Sequence, residues 1–85
     1  MLTHEYIRVR DGFEAWAQGV GRSCLVASVE QTPDGIRVGF RAAGYLTGQF
    51  SFRSPVEFVI VGPDGIPADA DSLARSLRLP LDGGK

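Results

Sequence analysis

Apolar positions recur along this chain mostly with a period of two, and that period predicts strands. Glu5–Arg10 alternates, with Ile7 and Val9 on one side and Tyr6, Arg8 and Arg10 on the other, as a half-buried strand does. Asp11-Gly12 interrupts it. The next stretch, Phe13–Val20, admits two readings. Asp11 followed by Glu14 resembles a capping box, Phe13, Trp16, Ala17 and Val20 fall at helical spacing, and Gly19 would close the turn. Asp-Gly is equally a two-residue hairpin signal, which makes Phe13–Val20 a second strand. An isolated helix of one and a half turns is marginal, so the hairpin is the expectation.

Ser23–Gln31 is apolar on both parities, the pattern of an interior strand. Thr32-Pro33-Asp34-Gly35 follows as a turn, because proline pre-sets the first corner and glycine accepts a positive φ. Ile36–Ala42 is the partner strand. It sets Ile36, Val38 and Phe40 on one face and Arg37 and Arg41 on the other. Gln49–Arg53 resumes alternation with Phe50 and Phe52 inward, and Val56–Val61 reads as a second interior strand ended by Gly62-Pro63-Asp64-Gly65. Only then does the period change. Ala70, Leu73, Ala74 and Leu77 form one helical stripe, with Asp69 and Asp71 at its start and Arg75 and Arg78 in its last turn. Pro80 stops it.

These elements predict a mainly β fold with one short C-terminal helix, a small α+β domain. Its antiparallel sheet of about five to six strands is open or partly closed into a barrel. Eighty-five residues hold one core, expected over residues 1–82, with 83–85 a flexible tail. An apolar fraction of 44% and a charged fraction of 22% are those of a folded chain rather than a disordered one. No stretch approaches the roughly 20 apolar residues of a membrane span, and the first residues lack a signal-peptide pattern. With a single cysteine there is no internal disulfide, so a cytoplasmic location is the expectation.

The residues that carry chemistry are few. His4 lies near the N-terminus with nothing in sequence to orient it, and Cys24 sits inside an apolar strand, where a thiol behaves as a small hydrophobe. One histidine and one cysteine do not make a tetrahedral metal site, and Asp69-Ala70-Asp71-Ser72 lacks the ligand order of a calcium loop. Gly19-Val20-Gly21 lacks the third glycine of a phosphate cradle. The expectation is therefore a protein that is not an enzyme, with no cofactor and no metal.

What remains is arginine. Between Gly35 and Val56 there are three arginines, Arg37, Arg41 and Arg53, and no acid. Strand parity turns them away from the phenylalanines, as it turns Arg8 and Arg10 away from Ile7 and Val9. If the strands are neighbours, Arg8, Arg10, Arg37, Arg41 and Arg53 make one guanidinium surface able to hold carboxylates or phosphates. Outward arginines also simply solvate a sheet.

The functional expectation is a small binding protein, an inhibitor, adaptor or assembly subunit of the kind phages and other mobile elements encode. Its arginine face would meet an acidic protein partner, and its exposed strand edges suit a homodimer. The alternative is a binder of an anionic small molecule or nucleic acid through the same arginines. A net charge of −1, with aromatics on the opposite parity from the cations, argues against nucleic acid.

Overall fold

The computed structural model describes residues 1–44, 48–50 and 54–78. In chain order its elements are helix α1 (Thr3–Gly19), strands β1 (Cys24–Thr32), β2 (Gly35–Ala42) and β3 (Glu57–Val61), and helix α2 (Ala70–Arg78). The fold is a small α+β arrangement in which both helices add side chains to a core on one side of an antiparallel sheet. The sheet is open, and among the described residues it has three strands, in the order β1-β2-β3, not the expected five to six. The barrel falls with that count. Helices of 17 and 9 residues outweigh strands of 9, 8 and 5, so the fold is not mainly β.

The N-terminal third is the largest correction. Glu5–Arg10 is not a strand, and Phe13–Val20 is not the second arm of a hairpin; both belong to α1. Val9, Phe13 and Ala17 lie at i, i+4 and i+8 and are fully buried, with Trp16 and Val20 half-buried beside them. Ile7, which alternation paired with Val9, is 41% exposed. Six residues fit a period of two by chance, whereas the helical stripe persists through Val20.

Start and stop signals agree with the helix. Glu5 reaches back to accept the Leu2 N–H at 2.9 Å. At the other end the Arg22 N–H donates to the Ala17 carbonyl and the Gly21 N–H to that of Gln18, with Gly21 at φ 97°. That is a Schellman ending, so Gly21, not Gly19, turns the chain out.

Gly12 explains why Asp11-Gly12 misled. It lies inside the helix, where the turn that follows β3 crosses it so closely that a Cβ would overlap the Asp64 carbonyl oxygen. Gly65, at φ 85°, meets the same stretch of α1, and a Cβ there would overlap the Val9 carbonyl and the Phe13 amide. Two glycines let two backbones touch.

The β1–β2 hairpin forms at the expected turn. Thr32 Oγ1 accepts the Asp34 N–H and donates to the Gly35 carbonyl, and Gly35 has φ 127°. A bulge at Ala27 interrupts the register between Val26↔Phe40 and Ser28↔Gly39. Among the described residues neither β1 nor β3 is interior, and β2 is the central strand. Its inward residues Val38 and Phe40 are buried, and Phe40 packs on Phe13 with ring centroids 4.9 Å apart. Burying each such side chain contributes about 1.5–3 kcal/mol.

After β3, Asp64 Oδ1 accepts the Ile66 N–H at 3.0 Å, and Pro67 returns against Val61. The expected C-terminal helix is present as α2, with Ala74 and Leu77 buried and Asp71, Arg75 and Arg78 placed along the dipole as read. Arg22 holds it down. This buried side chain donates from Nε to the Ala43 carbonyl at 2.6 Å and from Nη1 to the Leu77 carbonyl at 3.0 Å. One guanidinium thereby joins the end of β2 to the last turn of α2. Of the expected strand Gln49–Arg53, Gln49 and Phe50 are not in a strand, and residues 51–53 lie outside the described residues, as do Tyr45, Pro80 and the 83–85 tail.

Candidate functional site

Parity divides the sheet into two faces. Cys24, Val26, Val38, Phe40, Ala42 and Val61 point inward to the helices. The opposite parity carries Leu25, Ser28, Glu30, Arg37, Gly39, Arg41, Phe58 and Ile60, and among the described residues no helix covers it.

This outer face has a built centre. Phe58 faces Gly39 across the β2–β3 pair, and a Cβ at Gly39 would come within 2.9 Å of its ring and 2.6 Å of Ser28 Oγ. Absence of a side chain at Gly39 is what lets the ring lie across the strand. The Arg37 guanidinium carbon stands 4.9 Å from the centre of that ring, and its Nη2 is ion-paired with Glu30, directly opposite on β1. Arg41, four residues further along β2, donates from Nε to the Ser54 carbonyl at 3.2 Å. Phe58 is 58% exposed and Leu25 53%. The result is a patch of apolar surface bordered by two oriented arginines, spaced roughly 13 Å along one strand.

The five arginines expected to share a surface do not share one. Arg37 and Arg41 lie on the outer face as parity required. Arg8 and Arg10 belong to α1, which packs on the inner face. Arg10 is drawn to its own neighbours: Nε bonds Asp11 at 3.0 Å and the guanidinium stands 5.9 Å from the Tyr6 ring centre, and Asp11 pushes its pKa further up. Arg8 borders a cleft of about 50 Å³ with Met1, Glu5, Val9, Gln31, Ile36 and Pro63. Arg53 lies outside the described residues.

The phenylalanines split as well. Phe40 is in the core, Phe50 is 44% exposed and therefore not inward as expected, and Phe52 lies outside the described residues. Phe58 was missed. Its signal was present, since an apolar residue on each parity of Val56–Val61 fits either an interior strand or an outer strand with one bare apolar face.

His4 lies exposed in the first turn of α1. Cys24 is buried, and burial pushes its thiol up to about 11, against a smaller opposing pull from Arg22. Among the described residues no three His, Cys, Asp or Glu side chains are grouped to hold a metal, and no helix is long and apolar enough to cross a membrane. Comparison with protein-family models, curated proteins and solved structures finds no match, so the functional reading rests on this chain's own residues.

Proposed function

We infer that this chain is a small non-enzymatic binding protein, an inhibitor, adaptor or assembly subunit, that presents the outer face of its sheet to another protein. The observation that carries the reading is Phe58, a large side chain more than half exposed on a face that no helix covers among the described residues, seated over Gly39 and bordered by a stacked arginine. Aromatic and arginine side chains dominate the energetics of protein interfaces. Arg37 and Arg41 meet carboxylates at the rim of an acidic partner, while Phe58 and Leu25 supply the apolar centre.

The test is capture of partners by the purified protein, compared between the native chain, Phe58→Ala and the double variant Arg37→Ala with Arg41→Ala. Loss of one specific partner in both variants supports the surface. A partner retained by both places recognition elsewhere. Binding driven by phosphate instead weakens steeply with salt, at a log–log slope of about −0.9 per neutralised phosphate on duplex DNA or about −0.7 on single strands. An apolar-centred protein interface varies little with salt.

A further inference from the structure

We propose that Glu14 is a latch on the open edge of the sheet, closing the strand along which a second copy of this chain would otherwise pair. The two outer strands are protected in different ways. The last two residues of β3 are covered by the chain's own return: the Ala68 N–H donates to the Ile60 carbonyl at 3.0 Å, and Pro67, which has no N–H, lies against Val61. Among the described residues β1 has no such chain return along its edge, although α1 packs beside it. It is the longest strand, with nine residues, its only charged side chain is Glu30, and that group turns to Arg37 on the outer face. An open edge of this length is a template for strand pairing, and an antiparallel two-fold would bring the same segment of each copy together.

What blocks it is local. In an antiparallel pair, amides alternate between facing the partner strand and facing away. The Val26 amide faces away from β2, and Glu14 Oε2 accepts it at 3.0 Å. Val29 and Gln31 face the same way by the register. Glu14 is held at this spot because Val9, Phe13 and Ala17 fix α1 on the core. The carboxylate takes up a donor that an incoming strand needs and places a negative charge in its path. The bulge at Ala27 bends the strand at the adjacent residue, adding to the obstruction.

The experiment follows the mass of the full chain in solution against concentration, together with hydrogen exchange at the Val26 amide. The native chain is expected to stay monomeric with that amide protected. Glu14→Ala is expected to exchange it about tenfold faster in dilute solution, and to double in mass as concentration rises. Glu14→Gln retains native behaviour, because its amide oxygen still accepts the bond. Adding Val29→Pro to Glu14→Ala removes an outward donor and returns the protein to monomer, which assigns the association to β1. The proposal is overturned if Glu14→Ala stays monomeric throughout, if its dimer survives Val29→Pro, or if the native chain itself dimerises through β1. Should Glu14→Ala unfold, Glu14→Met, which keeps the aliphatic stem and lacks the acceptor, is read in the same way.

Discussion

The two faces of this sheet are made from the same three strands and do opposite work. On the inner face Val38 and Phe40 are sealed under α1, and their partners are other apolar side chains. On the outer face Arg37, next to Val38 in sequence, is held by Glu30 and by the Phe58 ring, and both Arg37 and Phe58 remain open to solvent. Stability is concentrated on the first face, and the second is free to be selected for contact. Gly39 marks the division: flanked by buried Val38 and Phe40, it spends its missing side chain on seating an exposed ring.

This contrast makes mutations on the two faces separable. Phe40→Ala should cost about 3–5 kcal/mol, most of the stability of so small a domain; a urea midpoint near that of the native protein would show that the core is not where we place it. Arg22→Ala should cost about 2–3 kcal/mol, since two buried carbonyls lose a charged donor. Circular dichroism should register the loosening of α2 before the sheet unfolds.

Cys24 supplies a pH test of the inner face. Its native pKa is raised above the ordinary 9.0 to about 11, so folding favours the protonated thiol. The contribution is fully present below pH 9 and fades as pH rises towards 11, because the unfolded chain ionises first. The loss should approach about 2–3 kcal/mol. Unfolding at pH 8 and pH 11 should differ less in Cys24→Ala than in the native chain. An equal difference would mean that the thiol is not buried.

The smallest effect belongs to the outer face. Phe58→Ala should change stability by only about 0.5–1 kcal/mol while abolishing partner capture. A large stability loss there would merge the two faces into one core.

Much of this contrast was legible in the sequence and part was hidden for physical reasons. The β1–β2 hairpin, its Pro-Asp-Gly turn and α2 were readable because local chemistry and periodicity agree at each. Parity alone put Arg37 and Arg41 on the outer face. Helix α1 was obscured by a tertiary requirement: Gly12 is present for the crossing of another segment, and nothing within α1 announces that crossing. Phe58 was obscured by topology, since strand order decides whether a residue apolar on the second parity is buried or bare. The role of Arg22 was hidden, because Leu77 is distant in sequence and only the fold brings it close.

The contact between Gly12 and Gly65 bears on how much this molecule can vary. Randomising both codons and selecting for folded protein should return glycine at each, since alanine at position 12 overpacks by about 1–3 kcal/mol even though it is the better helix former. The crossing therefore acts as a register key. It admits one rotation and one axial position of the first helix, so a residue inserted between Val9 and Gly12 would offset the whole N-terminal layer rather than lengthen a loop.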